Sequence, residues 1–324
     1  MFTTNASLFG LGFLLCANQF ASAQDYPTRP IRMIIPFAAG GPTDVTGRIL
    51  GQSLSKQLGQ QFVIVNKGGA SGSIGAVEAA TATPDGYTVM YTASSFALAP
   101  LLNKKLGYDP ISDYQPISLT VTQPMMVVVN SKMPTTTISE FINYAKANQD
   151  KLTYGTTGSG GITHLVVAEF AKRFDLRMIH VPYKGSGIVL ADLAGGQLNM
   201  SISTFSTALP FVQAGRMRAL AIASTKRHPL LPELPTLTEA IGQEYKEIST
   251  WHGMLVPKAT PKPIVTRLHK EVSMAMSDPN TRKTFISQGS EPIGSTPEQF
   301  TARIKDEMAR WGQVVRDLGL KPLD

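Results

Sequence analysis

Apolar residues along the chain recur in two alternating patterns, short β-branched runs and longer stretches with helical spacing. Ile31-Arg-Met-Ile-Ile-Pro-Phe37 is a strand-like run, and Val45, Ile49, Leu50, Leu54 and Leu58 follow at helical spacing. Phe62–Val65 is the next strand, residues 74–82 the next helix and Tyr87–Thr92 a third strand. Strand, helix, strand, helix, strand is the opening of a doubly wound α/β fold with parallel strands. Residues 98–123 break the rhythm with Gly107, Asp109-Pro110 and Gln115-Pro116, and the stretch is expected to be irregular.

The alternation then restarts. Met125–Asn130 reads as a strand, and Thr137-Ile-Ser-Glu140 is a capping box that opens a helix. Strands are expected over 152–154, 178–181, 198–203 and 218–223, with helices over 162–173, 188–193 and 207–214. Pro229, Pro232 and Pro235 exclude regular structure, and Trp251–Val256 reads as a strand returning to the first unit. A final helix opens with Thr296, Pro297 and Gln299 and carries Phe300, Ile304, Met308, Trp311, Val315 and Leu318 as a core-facing stripe. Two α/β lobes result, the first from residues 24–123 and 224–324 and the second inserted as 124–223. Strands crossing between them would form a hinge over a cleft, a favoured place for a small ligand.

The length of 324 residues suffices for two ordinary cores, and a charged fraction of 16% excludes a disordered chain. Residues 1–23 read as a signal peptide, with an apolar run from Leu8 to Cys16 and Ala21-Ser22-Ala23 before the cleavage point. The run is shorter than the roughly 20 residues a membrane span requires. Its n-region carries no Lys or Arg, which departs from the usual pattern. Cys16 is the sole cysteine, so the processed chain would have neither disulfide nor thiol. Export to a periplasm is expected. The net charge of +7 is scattered, without the basic stripe that nucleic-acid binding needs. No nucleic acid is therefore expected as a partner.

Local catalytic motifs fail. None of His164, His180, His228, His252 and His269 stands three or four residues from another, which leaves no local metal motif and no metal or cofactor expected. No Gly-x-Ser-x-Gly elbow occurs, and Gly161 stands where a phosphate loop would need lysine. The glycine- and hydroxyl-rich loops at strand ends remain: residues 38–44, 68–73, 92–95, 155–161 and 182–187. Such loops can each be ordinary turns, yet together they suit an anion held by N–H and hydroxyl donors. His164 can equally be a packed first-turn residue, Tyr183 a core residue and Lys184 a surface charge.

Six ordered motifs carry a more specific message: Tyr26-Pro-Thr-Arg-Pro-Ile31, Pro36-Phe-Ala-Ala-Gly-Gly-Pro-Thr-Asp44, Asn66-Lys-Gly-Gly69, Pro84-Asp-Gly-Tyr87, Val181-Pro-Tyr-Lys-Gly185 and Gln213-Ala-Gly-Arg-Met-Arg-Ala219. From residue 26 onward the chain resembles the Bug family, the solute receptors of tripartite tricarboxylate transporters. The resemblance implies a two-lobed type II periplasmic binding protein, with no catalysis and no cofactor. It implies a small organic carboxylate gripped by facing loops, and membrane transporter subunits as partners of a monomer. It points to Phe37, Ala38, Gly40, Gly41, Thr43 and Asp44 in the first lobe, with Ser94 and Ser95 beside them. In the second lobe it points to Thr156, Thr157, Gly158, Ser159, Gly160, His164 and Tyr183.

Relatives of this kind often carry two aspartates where this chain has Asn199 and Ser203. With Ser203 in the cleft, a ligand amine would lack a counter-charge, so a carboxylate without an amine is expected. Thr43 and Asp44 are expected to serve binding more than stability. Two other readings are a secreted hydrolase or lyase using His164 and Ser159, and a ligand-sensing subunit of a signalling system.

Overall fold

A computed structural model describes residues 26–69, 72–103 and 105–320. The signal peptide, Cys16 and two positions of the 68–73 loop lie outside the described residues. The chain begins with β1 (Ile31–Ile35), α1 (Pro42–Leu58), β2 (Phe62–Asn66), α2 (Ser73–Ala80) and β3 (Thr88–Ala93). β1 lies between β2 and β3, parallel to both. Ile31, Met33 and Ile35 pack with Leu50 and Leu54 of α1, while Ile34 packs with Ala76 and Ala79 of α2. A strand covered on both faces needs a continuous apolar run, which explains Met-Ile-Ile.

α3 (Ser95–Leu102) and β4 (Tyr114–Asn130) occupy most of the stretch expected to be irregular. Pro116 and Pro124 both sit within β4, yet the strand persists. The pairing register shifts between Pro116 and Ser118 and again between Leu119 and Val121. A strand tolerates proline where the ladder is already interrupted.

The chain continues through α4 (Ile138–Ala147), β5 (Thr153–Thr156), α5 (Ile162–Arg173), β6 (Ile179–Pro182), α6 (Ser186–Gly195), β7 (Met200–Thr204), α7 (Phe205–Gln213), β8 (Met217–Ile222) and α8 (Leu237–Ile241). It returns through β9 (Ser249–Pro257) and closes with α9 (Lys262–Ser277), α10 (Pro279–Ser287), β10 (Glu291–Pro292) and α11 (Pro297–Asp317). Both anticipated capping boxes form, at Thr137–Glu140 and Thr296–Gln299, and a third joins Thr236 to Glu239.

β4 connects the two halves of a curled sheet. Tyr114–Pro124 pairs with β9, whereas Met125–Asn130 lies between β7 and β8. The strand order β2-β1-β3-β9-β4-β7-β5-β6 therefore runs through this one strand. Beside it the chain returns at Ile248, which donates to Ala223 O and accepts from Met125 N–H.

Packing does not follow the chain division at residue 223. Leu231 and Leu234 pack with Leu193 and Phe205, and Leu237, Tyr245 and Ile248 pack with Phe141 and Phe170. The stripe on α11 also divides: Phe300 and Ile304 pack on Trp251, while Trp311 and Val315 join Leu165 and Phe170. This long helix thus braces both halves.

β9 passes beneath α11 at Gly253, where a methyl group would meet the Phe300 ring and Ser118 O. Gly253→Ala should destabilise the fold by about 1–3 kcal/mol through overpacking, seen as a lower urea midpoint with an unchanged slope.

Candidate ligand-binding cleft

α1 and α5 begin in the same way. Gly40-Gly41-Pro42-Thr43-Asp44 opens α1, and Gly160-Gly161-Ile162-Thr163-His164 opens α5. Gly40 and Gly160 have φ of 79° and 77°, a left-handed backbone that glycine adopts without strain. Gly41 and Gly161 are N-caps with no side chain to satisfy the first turn. In each turn the first glycine's N–H donates four residues ahead, Gly40 to Asp44 Oδ2 at 2.9 Å and Gly160 to His164 Nδ1 at 3.1 Å. The N–H groups of Thr43 and Asp44 find no acceptor among the described residues, nor do those of Ile162 and Thr163. Two helix N-termini therefore stand at strand C-terminal ends with donors unspent, which is the geometry that holds an anion. This repeat was visible in the sequence but was not read from it; the signal was Gly-Gly-x-Thr followed by an acceptor.

Asp44 is buried and spends its carboxylate on the loop itself. Besides Gly40 it accepts from Arg48 Nε at 2.9 Å and Asn66 Nδ2 at 3.0 Å. Burial pushes its carboxyl up, but the bonds from Arg48, Gly40 and Asn66 outweigh that and hold it below the usual carboxylate range. Asn66 also donates to Phe37 O, and Gly68 lies against Phe37 and Ala38, so the first jaw is one interlocked turn.

Under this turn lies His252 of β9, fully buried and absent from the expected site. Thr46 donates to Pro42 O at 3.0 Å, so its oxygen accepts from His252 Nδ1 at 2.8 Å. That leaves Nε2 to accept from the Thr43 hydroxyl at 3.3 Å. Burial lowers this imidazole to about 3 and keeps it neutral. Thr43 thus offers the cleft its N–H, while its hydroxyl faces inward.

The second jaw is tied by Thr163, whose hydroxyl accepts from Thr157 N–H at 2.9 Å, and by Thr156, whose Oγ1 lies 2.7 Å from His180 Nε2. Gly160 packs on Leu102 of α3, and Gly158 faces Tyr183 O.

The receptor model of the tripartite tricarboxylate transporter family, TctC, matches residues 46–320. The chain belongs to that family. A solved structure described as periplasmic binding protein BugD is 36% identical, with a TM-score of 0.84, covering 91% of this chain and 99% of that one. R. palustris Rpa4515 with adipate is 34% identical, TM-score 0.88, covering 92% and 100%. MatC from Rhodopseudomonas palustris with bound malate is 30% identical, TM-score 0.82, covering 90% and 100%. The fold is accordingly that of a two-lobed periplasmic binding protein. The chain is a solute receptor and not an enzyme, and the hydrolase reading falls. His164 already spends Nδ1 on Gly160.

The other expected residues of this receptor divide by what they touch. Ser94 is buried, its hydroxyl 2.8 Å from that of Thr250, while Ser95 is half-buried at the start of α3. Tyr183 donates to Asp192 Oδ2 at 2.7 Å and packs beside the α6 core. Lys184 is exposed. Ser203 is buried with its hydroxyl 3.0 Å from that of Ser201. Asn199, by contrast, precedes β7, where its Oδ1 accepts from Thr153 N–H at 2.8 Å. It is a latch at the opposite strand end from the jaws and carries no message about the ligand.

Thr43 and Asp44 thus act on stability as well, contrary to the sequence expectation. Asp44→Ala strands the Gly40 N–H, Arg48 and Asn66, and should cost about 2–4 kcal/mol of ligand-free stability in urea titration. Thr43→Val should cost about 1 kcal/mol by leaving His252 Nε2 without a donor. An Asp44→Ala protein as stable as wild type would refute this assignment.

His252, His180, His164 and His228 all lie below the ordinary histidine value of 6.5, chiefly through burial. Each stays neutral in the fold and takes a proton on unfolding, so acid favours the unfolded chain. Stability should fall as pH drops from about 6.5 toward 4, with Tm at least about 5 °C lower at pH 4.5 than at pH 7. A flat Tm over that range would contradict the burial of these imidazoles.

Proposed function

We propose that the receptor captures a small organic carboxylate without an amine between the two Gly-Gly-x-Thr turns and delivers it to membrane transporter subunits. The observation that carries this reading is the matched pair of helix N-termini with unpartnered N–H groups. Adipate in Rpa4515 and malate in MatC support the same ligand class, since both are amine-free dicarboxylates. The carboxylate needs no arginine, because N–H groups and hydroxyls supply the donors. Arg48 is spent on Asp44.

The amine is excluded on charge. Asp44, the carboxylate of the first jaw, is already met by three donors, one of them the Arg48 guanidinium. Position 203 offers a serine hydroxyl where a carboxylate would be required. Burying an ammonium without a counter-charge costs several kcal/mol, enough to forfeit micromolar affinity.

Closure would be a hinge motion about the two crossings, Pro124–Met125 in β4 and Ile248–Ser249 leading into β9. Ligand contacts from both jaws would favour the closed form. In this reading residues 24–123 and 249–324 are the first lobe, 124–248 the second, and residues 1–23 a signal that directs a monomer to the periplasm.

A thermal-shift screen of the processed protein against small carboxylates tests the proposal. A cognate ligand at one hundred times its Kd should add about 2.7 kcal/mol of stability. Adipate, malate or a close analogue should stabilise the protein, and aspartate and glutamate should not. Micromolar binding of either amino acid in titration calorimetry would sink the amine exclusion.

A further inference from the structure

Behind the second jaw stands a column of three rings. Tyr154 and His180 are paired in register on β5 and β6, and their rings stack 5.0 Å apart. His164 stacks on His180 at 4.1 Å, with the two planes 5° apart. The jaw loop is tied to this column at both ends. His180 Nε2 meets Thr156 Oγ1, the same oxygen that accepts from Gly158 N–H at 3.4 Å. His164 Nδ1 accepts from Gly160 N–H. Gly158 and Gly160 hold φ of 128° and 77°, conformations a free glycine loop would exchange for others. The two imidazoles thus fix the segment between them and support one another.

The first jaw performs the same task with Asp44, which remains an acceptor down to acidic pH. His164 does not, because a proton on Nδ1 removes the acceptor for Gly160. His180 is faced by the Tyr154 and His164 rings, and the space beside His164 is lined also by Lys172 from α5 and Arg177 ahead of β6, with Leu318 and Leu320 beyond α11. Lys172 donates to Asp317 O, and Arg177 pairs with Asp150. No carboxylate lines this space among the described residues. Burial lowers both imidazoles, and His164 adds to the lowering of His180, to about 4.

We propose that His164 and His180 are positioning residues of the second jaw, and that capture of an anionic ligand requires both imidazoles to be uncharged. The ligand half of this statement rests on the carboxylate reading; the loop half does not.

Amide hydrogen exchange on the ligand-free protein, corrected for intrinsic rates, tests the loop half, and titration with adipate and malate at pH 7.5 and pH 5 tests the other. His164→Phe and His180→Phe keep a ring in the column but lose the hydrogen bond. Each should speed exchange at residues 157–161 about tenfold, with core amides of α5 unchanged, and weaken the dicarboxylate about tenfold. His164→Asn restores an acceptor that does not titrate, so it should recover the loop protection that His164→Phe loses at pH 7.5 and keep that protection at pH 5. In wild type alone, Gly160 exchange should rise on acidification, a readout that needs no variant. Unchanged loop exchange in wild type on acidification and in every folded Phe variant would overturn the positioning role. Affinity that rises on acidification would overturn the requirement for uncharged imidazoles. Failure of both dicarboxylates to bind wild type would defeat the carboxylate reading, while loop exchange still decides the role of the histidines.

Discussion

A backbone N–H with no acceptor inside the protein must be met by water or by a ligand, and among the described residues such groups stand at matching points of the two lobes. The cause is local. A left-handed glycine followed by a glycine N-cap lets the chain enter a helix without a capping side chain. The side chain that folds back onto the glycine, Asp44 or His164, meets its N–H outside the helix, and among the described residues two N–H groups of each first turn find no acceptor. Everything else near the cleft can be understood as keeping those two turns rigid. Rigid donors lose less entropy on binding than mobile ones, so the fold invests its buried polar groups beneath the turns rather than in them.

That investment is costly enough to leave traces. His252 is a neutral imidazole in a β-strand core, acceptable only because Thr43 and Thr46 satisfy both ring nitrogens. Tyr91 is equally buried, and its hydroxyl lies 2.8 Å from that of Thr120, which itself donates to His252 O. The network lies on β3, β4 and β9, the strands that lead to the crossing between lobes. Its satisfaction therefore couples the shape of the first jaw to the strands on which the lobes would turn. The second jaw leans on its edge strand β6 through His180, and on β7 beside β4 through Ser201, which donates to Gly155 O at 2.9 Å.

How much of this was legible depended on whether the deciding contact was local. Strands and helices around residues 31–93 and 137–222 followed from apolar spacing, and two capping boxes from three-residue signals. The turns at 38–44 and 155–161 were legible because glycine there has a backbone reason. β4 was not, since Pro116 and Pro124 argue against a strand unless it is known that the register shifts after Pro116 and that the β9 pairing ends at Pro124. Likewise the proline-rich stretch after Ser224 gave no sign that Leu231 and Leu234 would pack beneath Phe205. His252 was hidden in an apolar strand, and only the tertiary approach of Thr43 and Thr46 makes it part of the site. The family motifs pointed to these two turns but could not tell that the hydroxyl of Thr43 and the carboxylate of Asp44 face inward.

The two jaws solve one mechanical problem with chemically different acceptors, and the difference has a physical consequence. A carboxylate next to a helix N-terminus adds negative charge where an anion is meant to bind, a penalty that Arg48 offsets in the first jaw by pairing with Asp44. A neutral imidazole imposes no such penalty and needs no arginine, so the second jaw can present its donors with no fixed charge in its loop. The exchange is sensitivity to protonation, which a carboxylate escapes over the neutral range. Burial restrains that sensitivity by disfavouring a cation on either ring, and His164 stacked on His180 disfavours one there further. An aspartate at position 164 would remove the sensitivity but bring back the charge, without an Arg48 to absorb it. On the carboxylate reading proposed above, a neutral acceptor held neutral by burial would keep the second jaw receptive to an anion.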